Sequence, residues 1–185
     1  MADVAAPPAA DSHSTTPSFA RRLGAFFCAL LYAFVALGLR LVVARVFFLS
    51  GQAKIEGPEV PIHLAVPGSN LPAFDVSVIL PSGIKAATYQ MFEAQYAGLP
   101  VPPAVTAVLF TYAEFVLPIC LLIGFGTRIA AALLLGMTLL LQFYVQPAMW
   151  WTAHVYWVSI LAVLICKGPG VLSIDALIRW LHGRK

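Results

Sequence analysis

The chain contains four long apolar segments, separated by polar or proline-rich stretches. They run from Leu23 to Ser50, Val101 to Phe125, Ile129 to Val145 and Trp150 to Cys166. A membrane-spanning helix requires about 17 to 25 mainly apolar residues, and each segment approaches or exceeds this length. The pattern therefore predicts four transmembrane helices, at about 24–54, 103–125, 128–146 and 148–167.

The segment between the first two predicted helices, residues 55–102, has a different character. Prolines and glycines interrupt it repeatedly, and the stretches IHLAV and FDVSVIL within it have the composition of short strands. From Ile84 to Tyr96 the apolar residues recur at helical spacing with polar residues between them. We expect a long loop that carries short strands and one short amphipathic helix on the membrane surface or over the bundle.

Both ends of the chain are predicted to lie outside the spanning helices. Residues 1–20 are rich in Ala, Pro, Ser and Thr and should form a disordered tail. After the stop Gly168-Pro169-Gly170, apolar residues at helical spacing predict a short amphipathic helix, with Ser173 as its N-cap and Asp175 in its first turn. Residues 179–185 would be a basic tail.

Composition agrees with a lipid-embedded chain. Of the 185 residues, 61% are hydrophobic and 10% are charged, whereas a soluble domain is typically about a quarter charged. The fold class is therefore an all-α membrane protein, a four-helix transmembrane bundle in one domain over 21–178. The basic residues are few and scattered, which argues against nucleic acid as a partner and leaves the bilayer as the expected one.

The positions of the basic residues predict the orientation of the bundle. They precede the first helix, lie in the turn between the second and third, and follow the fourth: Arg21, Arg22, Arg128, Lys167, Arg179, Arg184 and Lys185. With four spans all three places share one side, and Lys and Arg favour the cytoplasmic side. Both termini should be cytoplasmic, and the loop 55–102 should be extracytoplasmic.

Few ionisable groups lie inside the apolar segments, and they are the candidates for function. Glu114 lies near the middle of the second segment, Arg40 and Arg45 lie in the first, and His154 lies in the fourth. A charge in the bilayer is costly, so a partner is expected. Counting about 1.5 Å per residue from Pro103 and from Lys54 puts Glu114 and Arg45 at about the same depth.

Besides His154, three further polar residues fall in the outer half of the predicted bundle, namely Ser50, Gln142 and Gln146. Together with Glu114 and an arginine they could form a polar pocket. Two interpretations remain open: a buried ion pair that fixes helix register, or a site for a polar headgroup such as a quinone, or for a proton path. The pattern predicts no haem or metal site, because no cluster has metal-ligand spacing.

The segment from Arg40 to Lys54, RLVVARVFFLSGQAK, resembles the pattern R-L-x-x-(G/A)-x-x-F-x-x-(H/S)-G-x-x-K of DoxX family membrane proteins. Further residues agree in order along the chain: Ala113-Glu114, Leu117-Pro118, Thr127-Arg128, Gln142, Pro147, His154, Trp157 and Gly168-Pro169-Gly170 to Asp175. Arg40 occupies the position of the arginine with which the family pattern begins. Arg45 departs from the pattern, which usually has an apolar residue there.

The resemblance implies a multi-pass subunit of the bacterial inner (plasma) membrane. Founding members of the family accompany quinol oxidase or thiosulfate:quinone oxidoreductase, and other relatives are linked to stress-response complexes. The first hypothesis is thus a redox-associated subunit that binds a quinone or docks a catalytic protein partner. A non-enzymatic anchor or assembly factor, and a small-molecule carrier, are the alternatives. The chain has no catalytic motif of its own, so it would be at most a subunit of a quinone-linked oxidoreductase.

The predicted orientation can be tested with single cysteines in a background without Cys28, Cys120 and Cys166. A cysteine in place of Ser82, in the loop, should react with a membrane-impermeant maleimide on intact cells. A cysteine in place of Arg128 should react only after the cells are opened. The reverse labelling pattern would overturn the orientation.

Overall fold

A computed structural model describes residues 18–64 and 74–183 of the chain. Six α-helices lie in these ranges: α1 (Ser18–Lys54), α2 (Ala86–Gln95), α3 (Pro103–Ile123), α4 (Thr127–Leu140), α5 (Val155–Lys167) and α6 (Ile174–His182). Four short strands precede α2: β1 (Ile55–Glu56), β2 (Glu59–Leu64), β3 (Phe74–Ile79) and β4 (Gly83–Ile84).

The four predicted spans are confirmed as helices long and apolar enough to cross a membrane. They comprise Arg21–Lys54, Pro103–Ile123, Thr127–Val145 and Pro147–Lys167. The fold is an all-α membrane protein, as predicted. The short strands, the loop helix and the C-terminal helix also agree with the sequence pattern, except that residues 65 and 66 of the first predicted strand lie outside the described residues.

Helices α1 and α6 overlap the edges of the two predicted tails. Helix α1 already begins at Ser18, inside the predicted disordered tail 1–20, and residues 1–17 lie outside the described residues. Helix α6 continues to His182, so the basic tail predicted from 179 is largely helical. The apolar pattern of Leu177, Ile178 and Leu181 continues past Arg179, which explains why the helix does not stop there.

The turn between α4 and α5 is wider than a regular helical hairpin. Helix α4 is extended by a π-helical turn, Leu141–Val145, and α5 is preceded by a second one, Trp150–His154. A single 3₁₀ turn, Pro147–Met149, joins them. Such π-helical turns are rare and often occur at functional sites.

The four spanning helices form a closed bundle, in which α1 packs on α3 and α5, and α4 packs on α3 and α5. The core is made of apolar residues from all four, among them Val43, Phe47, Phe110, Leu121, Leu134, Met137, Leu161 and Leu164. Apolar side chains on the outward faces of the helices are exposed. That distribution is expected where lipid rather than water surrounds the bundle.

Helices α1 and α3 run antiparallel and approach each other closely at Gly51. A Cβ atom placed on Gly51 would lie 3.0 Å from the backbone carbon and oxygen of Glu114. Eleven residues earlier in α1, Arg40 contacts Gly124 at the far end of α3. Gly51 is therefore level with Glu114. We call the end of the bundle where α1 ends the outer end, and the opposite end the inner end.

A small cap covers the outer end of α1 and fixes its last residue. The carbonyl oxygen of Lys54 accepts hydrogen bonds from the backbone N–H of Lys85 and from Thr88 Oγ1, both at 3.1 Å. Strand β1 pairs antiparallel with β4, which brings Ile55 opposite Ile84. Helix α2 then packs on α3. The last residue of α1 is thus held by the segment that begins α2.

Strands β2 and β3 form an antiparallel hairpin that is fastened to α1 by one side chain. The Gln52 amide donates to the Ile79 carbonyl at 3.1 Å and accepts from the Ile79 N–H at 2.7 Å. A side-chain amide that makes both bonds replaces a neighbouring strand at that point. The base of the hairpin is therefore held in a fixed position beside Lys54.

We expect a larger side chain at Gly51 to separate α1 from α3. Gly51→Leu should lower the free energy of unfolding by about 1–3 kcal/mol, the usual cost of overpacking. Gly38→Leu is the matched control, because Gly38 is in the same helix and a Cβ there meets nothing within 4 Å. Thermal unfolding in mild detergent measures both variants. Equal stability of the two variants would contradict the close approach.

Candidate functional site

Glu114 is buried in the bundle and forms an ion pair with the Lys54 ammonium group. The side chain of Glu114 is 3% exposed and that of Lys54 is 13% exposed. Lys54 Nζ also donates to Ser50 Oγ at 3.2 Å. Because Ser50 and Lys54 are four residues apart, both side chains lie on the same face of α1. The carboxylate in the middle of α3 therefore has its counter-charge at the end of α1.

The ammonium group of Lys54 is also supported by an aromatic ring. It lies 5.9 Å from the centre of the Phe92 ring, which belongs to α2. A cation at that distance from an aromatic face is attracted to it. Three elements thus determine the position of the ammonium group: α1 carries it, α3 supplies the carboxylate, and α2 supplies the ring.

His154 is held by Gln142. Nδ1 of His154 lies 2.6 Å from Oε1 of Gln142, and Nε2 of Gln142 donates to the Pro147 carbonyl at 2.8 Å. Gln142 belongs to the first π-helical turn and His154 to the second. The two turns therefore direct both polar side chains into the bundle.

A cavity of about 250 Å³ lies between the ion pair and the histidine. We call it the outer cavity. It is lined by Lys54, Glu114, Ser50, His154, Tyr96, Gln95 and Gln146, and by the apolar side chains of Val46, Phe47, Met91, Leu141, Met149 and Trp157. Gln95, Gln146 and Met149 are exposed and form its rim, whereas Glu114 and His154 are buried at its base.

Tyr96 contributes a polar group to the same cavity from the end of α2. Its ring is stacked on Phe92, with the ring centres 4.0 Å apart. Burial, and then the charge of Glu114, raise the pKa of Tyr96 to about 12. The phenol is therefore neutral at physiological pH and keeps its proton. Among the described residues, its hydroxyl has no hydrogen-bond partner, so it can donate to a ligand.

The structure brings together four of the six predicted site residues. Glu114, Ser50 and His154 line the outer cavity, and Gln142 lies directly behind His154. The predicted pairing of Glu114 with Arg40 or Arg45 is wrong, because its partner is Lys54.

Arg45 does not reach Glu114, although the count of residues gave them equal depth. That count treated Lys54 and Pro103 as level, whereas Gly51 is the residue of α1 that is level with Glu114. Arg45 is six residues, or about 9 Å, closer to the inner end. It is also exposed, and among the described residues no hydrogen bond or ion pair involves it.

Arg40 lies in a separate polar cluster at the inner end of the bundle. Its side chain is fully buried, and one of its terminal nitrogens donates to the Leu172 carbonyl at 2.5 Å. Nearby, the Tyr32 hydroxyl donates to the Gly168 carbonyl at 2.7 Å. These bonds fasten the segment after α5 to the first half of α1.

Asp175 completes the inner cluster, although the sequence placed it only in the first turn of α6. Its carboxylate accepts the backbone N–H groups of Gly126 and Thr127 at 2.8 and 2.9 Å, so it caps the start of α4. Burial alone would raise the pKa of Asp175, but these backbone hydrogen bonds hold it below its usual range. Ser173 caps α6 as predicted, accepting from Ala176 N at 3.1 Å. The inner cluster fastens helices together.

Lys54, Tyr96 and Gln95 are polar residues of the outer cavity that were not predicted from the sequence. Lys54 entered the prediction only as the outer end of the first helix, although its position four residues after Ser50 places it on the same helix face. Tyr96 lies 18 residues before Glu114, and no local pattern indicates that α2 folds back over α3.

In the described ranges, no group of three His, Cys, Asp or Glu residues could hold a metal ion.

The DoxX family model matches residues 35–147 of the chain. The chain belongs to the DoxX family. The match includes Ser50, Lys54, Glu114 and Gln142 and ends before His154, so the DoxX region supplies most of the polar groups of the outer cavity. Comparison with curated proteins and with solved structures gives no match.

The ion pair should respond very differently to the loss of one partner and to the loss of both. Lys54→Met leaves the Glu114 carboxylate buried without its counter-charge, and we expect it to cost about 3–5 kcal/mol of stability. Adding Glu114→Gln should recover most of that loss, because no buried charge then remains. Thermal unfolding of the two single variants and the double variant in detergent measures the coupling. Additive losses would show that the pair contributes no interaction energy.

Proposed function

We propose that the protein is a membrane subunit of a redox or stress-response complex and binds the headgroup of a quinone in the outer cavity. The observation that carries the proposal is the cavity itself. A buried ion pair and a neutral phenol border one part of it, a buried histidine borders another, and apolar and aromatic side chains complete the wall. Binding sites for small molecules commonly combine apolar walls with a few placed polar groups.

The size of the cavity favours a single ring over a larger ligand. Pockets for drug-sized molecules are typically about 300–1,000 Å³, and the outer cavity is slightly smaller than that range. A quinone headgroup is one six-membered ring with oxygens at opposite ends. Its long apolar tail would remain outside the cavity, in the surrounding lipid.

The polar groups include hydrogen-bond donors for an oxygen of such a ring. The Lys54 ammonium group and the Tyr96 hydroxyl are donors, and they lie near the Glu114 carboxylate. His154 offers its second ring nitrogen from its own part of the wall. Between them, Phe47 and Trp157 pack with ring centres 5.7 Å apart and give the cavity an aromatic side.

We propose cytoplasmic termini from the basic residues and a bacterial inner membrane from the family resemblance. The outer cavity is then on the extracytoplasmic side of that membrane. Electrons would enter or leave the bound quinone through a protein partner. We place that partner at the outer end of the bundle, over the rim residues Gln95 of α2 and Gln146 of the turn between α4 and α5.

A non-enzymatic anchor or assembly factor is the second candidate. It is favoured by the β2–β3 hairpin, on which Val60 and Ile62 are 41% and 42% exposed. In the proposed orientation the hairpin projects into water, where exposed apolar side chains favour burial under a protein partner. The two candidates are compatible if the partner of the hairpin is the enzyme that uses the quinone.

Quinone binding should depend on the ion pair. Protein purified in mild detergent from a quinone-containing membrane should carry quinone in extracts measured by mass spectrometry. Glu114→Gln should reduce the retained amount at least about tenfold, because the Lys54 ammonium group loses its counter-charge and its fixed position. Arg45→Gln is the matched control: it also removes one charge from a spanning helix, but on an exposed face away from the cavity.

Absence of quinone from the wild-type protein, also after incubation with added quinone, would overturn the proposed ligand. If Val60→Ser with Ile62→Ser abolishes capture of a protein partner while Glu114→Gln changes neither capture nor the activity of the complex, the anchor is the better description. Loss of quinone from the Arg45 variant as well would point to a general effect on the bundle rather than to the cavity.

A further inference from the structure

The hydrogen-bonding state of His154 is fixed by its neighbours. The Pro147 carbonyl can only accept, so the nitrogen of the Gln142 amide faces it, at 2.8 Å. The amide oxygen of Gln142 is therefore the atom that lies 2.6 Å from Nδ1 of His154. An amide oxygen also only accepts, so Nδ1 carries a proton.

The second ring nitrogen, Nε2, is then a hydrogen-bond acceptor in the neutral imidazole. Among the described residues, Nε2 makes no hydrogen bond and His154 has no carboxylate partner. A charged imidazolium ring, buried without an anion, would be costly, so the neutral form is favoured. His154 lines the outer cavity, and Nε2 is the ring nitrogen left with a lone pair that requires a donor.

The other polar groups of the cavity are hydrogen-bond donors and require an acceptor. The Tyr96 hydroxyl is a donor without a partner among the described residues, and the Lys54 ammonium group has three protons, of which Glu114 and Ser50 take two. A ligand that forms hydrogen bonds with all of these groups must accept a hydrogen bond from Lys54 or Tyr96 and donate one to His154. A quinone fails this test, because both of its oxygens are acceptors only.

We propose that the outer cavity selects the reduced, hydroquinone form of the carrier, whose O–H donates to Nε2 of His154. The second oxygen of the hydroquinone accepts from Lys54 or Tyr96. This inference rests on the proposed function and adds to it the oxidation state that is bound. Gln142 is a positioning residue here, because it acts on the ligand only by holding the proton on Nδ1.

The test compares three ligands of the same ring and tail: a decyl-substituted benzoquinone, its hydroquinone and the dimethyl ether of the hydroquinone. Dissociation constants are measured without oxygen on the full chain in nanodiscs, by quenching of tryptophan fluorescence, since Trp157 lines the cavity. The hydroquinone should bind roughly five- to tenfold more tightly than the quinone, as one net hydrogen bond implies. The dimethyl ether, which cannot donate, should bind no better than the quinone.

His154→Phe should remove the preference for the hydroquinone without strengthening quinone binding, and Arg45→Gln should keep the preference. If the His154 variant does not fold, the wild-type comparison of hydroquinone with its ether still decides the question. Equal binding of quinone and hydroquinone, or tighter binding of the quinone, would overturn the inference and leave the quinone site standing. Binding of none of the three ligands would overturn the proposed function itself.

Discussion

The ion pair of Lys54 and Glu114 is the interaction on which the outer half of the bundle depends. Its geometry requires α1 and α3 to lie side by side with almost no space between them, and Gly51 provides this because it has no side chain. It also requires α1 to end at Lys54, which the hydrogen bonds from Lys85 and Thr88 to the Lys54 carbonyl ensure. The cap, the helix contact and the charge pair therefore support one another.

The helices could be predicted from the sequence because each span must be apolar over most of its length. No such constraint determines which side chains form pairs between the helices. Because a charge in lipid is costly, Glu114 was correctly predicted to have a partner. The choice of partner failed because residue counts measure depth along one helix and give no information on how far neighbouring helices are offset. Gly51, not Arg45, is level with Glu114, and only the packing of α1 on α3 shows this.

Tyr96 and Gln142 illustrate the two other limits of prediction. Tyr96 reaches the cavity through the fold of the outer cap, which depends on contacts distant in sequence. Gln142 and His154 were both identified as polar residues of one pocket, yet their direct hydrogen bond depends on two π-helical turns. Hydropathy does not reveal a π-helical turn, because one extra residue in a turn leaves the apolar content of the segment unchanged.

The two ends of the bundle use buried charges in different ways. At the inner end, one terminal nitrogen of Arg40 and the Asp175 carboxylate bond to backbone groups and join α1, α4 and the segment after α5. The other two nitrogens of the Arg40 guanidinium are buried without a partner among the described residues, and neither borders the outer cavity. At the outer end, a charge pair that served only to fix register would be best enclosed by apolar side chains. Lys54 and Glu114 instead border a cavity, opposite a histidine whose second nitrogen has no partner among the described residues. Unused hydrogen-bonding capacity beside a cavity is what a binding site requires, and a purely structural pair does not account for it.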